Sequence, residues 1–428
     1  MAVKEGSRSR AQRGGMTDAS NARENAMTSS VSDRPDHHPV PLIFTYGFRP
    51  FFLLSGLAAP VLLAAWIAVL ATGSWPDGAV PAPAWHAHEM LFAFVAAAVA
   101  GFLLTAVPNW TGTKALSGWP LAGLIGLWLA GRIALLPFAG VPLPVAALVD
   151  LAFLPALGVA LAGPLVVAGK IRNTAFLALL GLLTAANLLF HLDWLGVLPG
   201  GTALGETLAI GVVLMMVAVI GGRIVPAFTR NALRPRGLDG TVVSRPWLEK
   251  VTLLSTLLMI PADLVLPGGV VAGLLALVAA LAHALRLAGW QPVKTLDQPI
   301  LWVLHLGYAW VPAALALKAA HLLGAGVDGS SWVHALTAGT FATMILAVMT
   351  RASLGHTGRM LVVTRPSVAA YLLLTVAAVL RVVAPELQGG LYRTALEGAG
   401  AAWIAAFALY LYVYAPILLG PRADGRPG

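Results

Sequence analysis

The sequence predicts an all-α polytopic membrane protein with twelve transmembrane helices. Of its 428 residues, 58% are hydrophobic and only 11% are charged, whereas a soluble domain carries about 25% charged residues. Apolar stretches of about 20 residues, the length that crosses a bilayer core, recur along the chain. Most of these stretches end at proline, glycine or charged residues. The composition therefore excludes a water-soluble enzyme of this size.

The twelve predicted spans are joined by short connections. They lie near residues 50–72, 88–108, 119–138, 143–168, 173–195, 204–226, 247–266, 269–289, 298–322, 333–353, 366–384 and 395–419. The loops after spans 2, 4, 6, 8 and 10 contain the basic residues Lys114, Lys170, Arg172, Arg230, Arg234, Arg236, Arg245, Lys294, Arg351, Arg359 and Arg365. The loops after spans 1, 3, 5, 7 and 9 contain none, and Arg393 after span 11 is the exception. Because basic loops remain in the cytoplasm, both termini are predicted to be cytoplasmic.

The two ends of the chain differ from its apolar centre. Residues 1–45 carry six basic and five acidic side chains and no apolar stretch typical of a signal peptide, so we expect a disordered cytoplasmic tail. Residues 46–420 form the predicted transmembrane domain, and residues 421–428 form a second cytoplasmic tail. The net charge of +9 is spread over short loops. This distribution is typical of a protein that contacts membrane lipids and argues against a nucleic-acid partner.

An internal repeat relates spans 2, 6 and 10. Aligned without a gap, spans 2 and 10 superpose His88 on His334. They also superpose Thr111 on Thr357. Span 6 fits the same frame with Glu206 at the position of His88. Related helices four spans apart suggest three four-helix units in a pseudo-threefold bundle.

The chain contains no cysteine. This excludes iron–sulfur clusters held by thiolates, haem attached through a C-x-x-C-H motif, and a cysteine nucleophile. A bound metal would need histidine, methionine, carboxylate or backbone oxygen ligands. Histidine and charged residues inside a span are costly, so each is a candidate for function. Arg132, well inside span 3, needs a partner or a path to the outer surface.

Six histidines are candidate metal ligands. They are His86, His88, His191, His305, His334 and His356. Four of them, His86, His88, His191 and His334, lie near the periplasmic ends of spans 2, 5 and 10. These four histidines either form a shared site or are separate side chains at the membrane interface that water hydrates. On a helix, His86 and His88 point about 200° apart, so they converge only if His86 precedes the helix.

Two of these histidines lie elsewhere. His305 is about seven residues into span 9, roughly 10 Å deep, and needs a polar partner there. His356 lies at the cytoplasmic exit of span 10 and is within reach of His305 from the inner side. Arg49, Arg223 and Arg351 stand at the cytoplasmic ends of spans 1, 6 and 10. They either anchor the bundle to lipid phosphate or pair with an anionic group such as a haem propionate.

Five stretches of the chain resemble the NnrS family of bacterial membrane proteins. They are GFRPFFLLSG (47–56), WHAHEMLFAFVAAAVAGFLLTAVPNWTG (85–112), GGRIVPAFTRNALR (221–234), HLGYAWVP (305–312) and HALTAGTFATMILAVMTRASLGHTGR (334–359). The resemblance implies a twelve-span protein of the bacterial inner membrane that contains haem b and copper. It also implies a link to nitric oxide and denitrification, and protection against nitrosative stress. It does not assign individual residues to either metal.

The resemblance, together with histidines in the predicted spans and the lack of cysteine, favours an inner-membrane haem and copper protein that binds, senses or turns over nitric oxide. We expect His88 and His334 to be the two axial ligands of one haem, because they occupy equivalent positions of the internal repeat and lie at the same depth in the membrane. His86 is the alternative ligand. The alternatives are a secondary transporter of copper or a nitrogen oxyanion, and an assembly partner of denitrification enzymes. The lack of carboxylates near the midplane disfavours proton-coupled transport. Neither a catalysed reaction nor an electron donor is indicated by the sequence.

Overall fold

The structure is a computed structural model that describes residues 41–76, 80–167 and 171–426. In these ranges all regular structure is helical, and twelve long helices follow one another. They are α1 Phe48–Thr72, α2 Ala82–Thr111, α3 Trp119–Ala134, α4 Leu143–Val166, α5 Ile171–Trp194, α6 Gly201–Leu233, α7 Pro246–Val265, α8 Val270–Gly289, α9 Pro299–Leu322, α10 Gly329–His356, α11 Arg365–Val383 and α12 Gly390–Leu419. Each overlaps one predicted span, and the largest differences are at the start of α2 and the end of α6, which extend beyond their spans by six and seven residues.

Ten of the helices in the described part of the chain are long and apolar enough to cross a membrane. This confirms an all-α polytopic membrane protein. The two others are α3, which has 16 residues, and α7, which carries Glu249, Lys250 and Asp263. The count of twelve spans therefore stays a prediction for these two helices, and the grouping into three four-helix units also stays a prediction.

Local sequence explains where the helices begin and end. Pro120, Pro246 and Pro366 lie in the first turn of their helices, where proline loses no hydrogen bond and its φ angle suits the helix. Gly112 closes α2 with a φ angle of 74°, and its amide donates to the carbonyl of Pro108 at 2.8 Å. A left-handed residue at this position favours glycine, so α2 stops here.

Helices α2 and α10 each contain a seven-residue π-helical segment, Glu89–Val95 and Ala335–Phe341. The two segments begin directly after His88 and His334, at equivalent positions of the repeat, and such segments often mark functional sites. Carbonyl groups of the first segment have partners on neighbouring helices. The Trp128 indole donates to the carbonyl of Ala93 at 3.3 Å, and the Ser55 hydroxyl donates to the carbonyl of Phe94 at 3.0 Å.

Helices α2 and α10 are the most buried of the candidate membrane-spanning helices in the described part of the chain. The most apolar stretches of α2 and α10 are 78% and 72% buried, whereas that of α1 is 22% buried. We call the end of the bundle where α2 and α10 begin the outer end, after the predicted orientation. This end holds the polar groups that the next section describes.

Both predicted tails include residues that pack on the bundle. Residues 1–40 of the N-terminal tail lie outside the described residues, but Leu42–Phe44 forms a 3-10 helix. The carbonyl of Phe44 accepts a hydrogen bond from the amide of Gly118 at 2.8 Å. At the other end, Arg422 Nη1 donates to the carbonyl of His356 at 2.8 Å. The Asp424 carboxylate pairs with Arg422, which lowers the pKa of Asp424 to about 2.

Candidate functional site

Six polar side chains from four helices meet at the outer end of the bundle. They are His88 and Glu89 of α2, Arg132 of α3, Asp150 of α4, and Asn187 and His191 of α5. We call this group the outer cluster. Five of the six residues are buried, and the Arg132 side chain is 12% exposed. Polar groups at this depth need partners within the protein, and the cluster supplies them.

His88 is held at both ring nitrogens. Its Nδ1 lies 2.9 Å from Glu89 Oε1, and its Nε2 lies 2.8 Å from Asn187 Oδ1. The same Nε2 is 3.3 Å from Asp150 Oδ2. Because oxygen acceptors face both nitrogens, only a doubly protonated imidazole can donate to both of them.

Asp150 contacts four of the other five residues of the cluster. Its Oδ2 accepts hydrogen bonds from Asn187 Nδ2 and from His191 Nε2, each at 2.8 Å. Arg132 pairs with Asp150 and also with Glu89, which are the partners that its position inside span 3 requires. The indole of Trp194 packs on the rings of His88 and His191 with centroid separations of 5.0 and 5.1 Å. The cluster is thus covered by an aromatic ring.

Three members of the cluster can ligate one metal ion. His88, Asp150 and His191 each offer a nitrogen or oxygen atom, and these atoms all lie within 4.8 Å of one another. The cluster contains two carboxylates and one guanidinium, so with neutral histidines it lacks one positive charge. An unbalanced charge is costly in a low-dielectric interior. A proton on His88 or a bound cation would restore neutrality.

A second site at the outer end is a cavity of about 320 Å³. We call it the outer cavity. Its polar lining comes from His86 on α2, Glu206 on α6, His334 and Thr337 on α10, and Arg381 on α11. The rest of its wall is mainly apolar and includes Leu63, Trp66, Phe94, Phe341 and Trp403. Its volume is at the lower end of the range of about 300–1,000 Å³ that is usual for small-molecule sites.

The polar atoms around the outer cavity differ from those of the outer cluster. His334 Nδ1 lies 2.8 Å from the carbonyl of Ser330, so Nδ1 carries the proton and Nε2 keeps the lone pair. His86 stacks on Trp66 at 4.7 Å, and its buried Nδ1 has no hydrogen-bond partner among the described residues. The same holds for the buried Nη1 of Arg381. Buried groups of this kind usually have partners, so the cavity is suited to a ligand that supplies them.

A family comparison matches this chain from residue 42 to residue 422 to the model of the NnrS protein. The chain belongs to the NnrS family. Among the curated proteins none matches it. The NnrS match covers the whole bundle, including the outer cluster and the outer cavity.

No contact between His88 and His334 is found among the described residues of this NnrS-family chain. His88 points into the outer cluster, whereas His334 lines the outer cavity. His86, the alternative ligand, lines the same cavity as His334, and the identity of the haem ligands stays a prediction. His86 and His88 reach different sites because both lie on the helix Ala82–His88. Residues two apart on a helix face nearly opposite sides.

The remaining candidate histidines lie apart from the outer end. The His305 Nε2–H donates to Thr229 Oγ1 at 3.0 Å, because that hydroxyl itself donates to the carbonyl of Val225 at 2.8 Å. His305 Nδ1 is buried without a partner in the described structure. The ring of His356 packs on Phe48 at 5.5 Å. No hydrogen bond or ring contact is found between His305 and His356 in the described ranges.

None of the three candidate arginines lines the outer cavity. Arg49 donates to the carbonyl groups of Leu418 and Gly420 at 2.7 and 2.9 Å, so it ties α1 to the C-terminal end of α12. The Arg223 guanidinium lies 5.8 Å from the ring centroid of Trp110, and that of Arg351 lies 3.9 Å from the ring centroid of Phe228. Both are cation–π distances.

The cation at the outer cavity is Arg381, which the sequence analysis did not single out. A charged side chain inside the predicted span 366–384 was the available signal. Asp150 and Asn187 were also missed as site residues. A carboxylate near the end of a predicted span is not unusual, so it does not indicate a site. The sequence positions of Asp150 and Asn187 also do not show that these residues face His88.

Proposed function

We propose that this NnrS-family protein is a haem and copper protein of the nitric oxide response in the bacterial inner membrane. Haem b occupies the outer cavity, and copper occupies the outer cluster. The observation that carries the proposal is the outer cavity itself: His86 and His334 line one buried space beside the unpartnered Nη1 of Arg381. No observation favours the alternatives, a secondary transporter or an assembly partner.

The residues around the outer cavity fit a haem. Ser330 orients the His334 ring through Nδ1, the usual support for a histidine that binds metal through its other nitrogen. His86 Nδ1 is a buried nitrogen without a hydrogen-bond partner among the described residues, and in its unprotonated form it would bind an iron. The Arg381 guanidinium can receive a haem carboxylate through its planar fork. Aromatic residues such as Phe94 and Trp403 supply the apolar contact area. When bound, haem supplies an iron centre that binds nitric oxide or passes electrons.

The outer cluster fits a copper ion. Two imidazoles and a carboxylate form a nitrogen and oxygen donor set, and imidazole suits copper. A monovalent cation balances the single excess negative charge that the carboxylates of Glu89 and Asp150 leave beside Arg132. Trp194 excludes water from the two histidine rings. In the absence of copper, a proton on His88 takes the same balancing role.

Nitric oxide suits a site of this kind because it is small and uncharged and partitions readily into an apolar bundle. The protein binds, senses or turns over nitric oxide at the outer end, which faces the periplasm when both termini are cytoplasmic. Twelve spans and this orientation are part of the proposal. Reporter fusions to the N terminus and after Gly428 test it: periplasmic signal from either fusion contradicts the orientation.

The haem assignment is tested by absorption spectra of the purified protein. We expect a Soret band that is lost or converted in His334→Ala and in His86→Ala. His321→Ala is the matched control, since His321 is an exposed histidine at the outer end of α9. Acid–acetone should extract the haem from the polypeptide, because the chain has no cysteine to attach it. An unaltered spectrum in both variants, or a wild-type protein without a Soret band after haem reconstitution, contradicts the proposal.

The copper assignment is tested separately by metal content. Wild-type protein loaded with Cu(I) and desalted should retain copper, and His191→Ala should lose it. His88→Ala should also lose copper while the Soret band remains. Loss of the Soret band in His88→Ala together with its retention in His86→Ala would instead restore His88 as the haem ligand.

A further inference from the structure

A second, smaller cavity lies between α2, α6 and α10, and Phe52 of α1 also lines it. We call it the central cavity; its volume is about 80 Å³. Every residue that lines it is apolar: Phe52, Val95, Ala98, Val99, Phe102, Leu103, Val213, Met216, Val217, Ile220, Gly221, Phe341, Met344, Ile345, Val348 and Met349. Three of them are methionines, whose flexible thioethers adapt to a small ligand.

The lining determines what the cavity can hold. A buried water needs two to four polar partners, and no lining side chain carries a hydroxyl, amide or charged group. An apolar cavity of about 150 Å³ stays dry and binds benzene or xenon, so a cavity of half that size suits a smaller guest. The volume and the apolar lining suit a small uncharged molecule of two or three atoms, or a noble-gas atom.

The central cavity adjoins the outer cavity. Val95 and Phe341 line both of them. These two residues are the last residues of the two π-helical segments, Glu89–Val95 and Ala335–Phe341, and they occupy equivalent positions of the internal repeat. The two π-helical segments thus place one side chain each at the boundary between the two spaces.

We propose that the central cavity binds a small uncharged gas molecule of the size of nitric oxide and supplies it to the outer cavity between Val95 and Phe341. The first part of the proposal, the binding step, is supported by the lining and the volume of the central cavity. The supply step rests on the proposed function, because it requires a haem at His86 and His334.

Xenon tests the binding step without any haem. Xenon NMR of the protein in nanodiscs should detect a bound atom in the wild type. The signal should vanish in Val217→Phe, whose larger ring fills the cavity from α6, and in Val348→Phe, which fills it from α10. Val61→Phe is the matched control, because it adds the same volume at an exposed side chain of α1. No bound xenon in the wild type, or bound xenon in both filled variants, overturns the proposal.

The supply step is tested by the rate at which dissolved nitric oxide alters the absorption of the reduced haem. Val217→Phe should slow this reaction several-fold while the Soret band before mixing is unchanged, and Val61→Phe should react like the wild type. Equal rates in all three proteins overturn the supply step. A wild-type protein without a Soret band overturns the proposed function and the supply step with it, while the xenon result still decides the binding step.

Discussion

The outer cluster and the outer cavity are two sites that share the same local backbone arrangement. Each begins at a histidine, His88 or His334, directly before a π-helical segment at an equivalent position of the repeat. Around His88, Glu89 of the same helix and Asn187 of α5 contact the two ring nitrogens. Around His334, the neighbouring helices leave a cavity of about 320 Å³. The same backbone frame therefore carries one site filled by the protein and one that has room for a ligand.

Each site also receives an arginine from the next helix along the chain. Arg132 of α3 pairs with two carboxylates, whereas the Nη1 of Arg381 on α11 has no hydrogen-bond partner among the described residues. A paired buried arginine stabilises the fold. An arginine whose buried Nη1 has no partner beside a cavity is available to an anionic ligand. The comparison predicts that removing Arg132 mainly lowers the stability of the fold, whereas removing Arg381 mainly weakens haem binding.

The largest effect on stability is expected for Arg132→Met. The change leaves Glu89 and Asp150 buried without their cation, and breaking a buried ion pair costs about 3–5 kcal/mol. Thermal unfolding of metal-free protein in detergent measures it. Arg393→Met is the control, because Arg393 is an exposed residue paired with Glu397, and surface changes usually stay within about 0.5 kcal/mol. Equal midpoints for the two variants would contradict the role of Arg132 as the partner of these carboxylates.

A smaller difference is expected between the two histidines of the repeat in protein without metal or haem. His88→Ala leaves Glu89, Asn187 and Asp150 short of a partner, and each unsatisfied buried group costs about 1–3 kcal/mol. His334→Ala removes one hydrogen bond to the Ser330 carbonyl, worth about 0.5–1.5 kcal/mol. The unfolding midpoint of His88→Ala should therefore be the lower one. The reverse order would show that the cavity side contributes more to the fold than its contacts indicate.

The smallest effect on stability is expected for Arg381→Met. In haem-free protein the unfolding midpoint should change by the equivalent of less than about 1 kcal/mol, because the change removes a buried Nη1 that has no hydrogen-bond partner among the described residues and so adds no hydrogen-bond stability. Haem retention after desalting should fall, and Arg381→Lys should restore it only in part, because lysine lacks the planar fork. A destabilisation as large as that of Arg132→Met would remove the distinction between the two sites.

The sequence predicted helix positions well because hydropathy sums over a whole span. Span 247–266 corresponds to Pro246–Val265, and span 366–384 corresponds to Arg365–Val383. The repeat predicted in spans 2 and 10 coincides with the two π-helical segments, although no pattern in the residues indicated π-helical geometry itself. Apolar side chains reach the bilayer or the core in either helix type, so their order along the chain does not distinguish an α-helix from a π-helix.

By itself, the sequence determined that this is an all-α membrane protein, which helices carry histidine, and that any metal must be held without thiolates. It also determined that Arg132 needs a partner. Only the tertiary structure decided that the partners are Glu89 and Asp150, that His88 faces them, and that His86 rather than His88 shares a cavity with His334. The physical reason is that a helix's composition sets its place in the bilayer. Which side chains meet depends on its rotation and tilt against its neighbours, which hydrogen bonds and ion pairs between helices select.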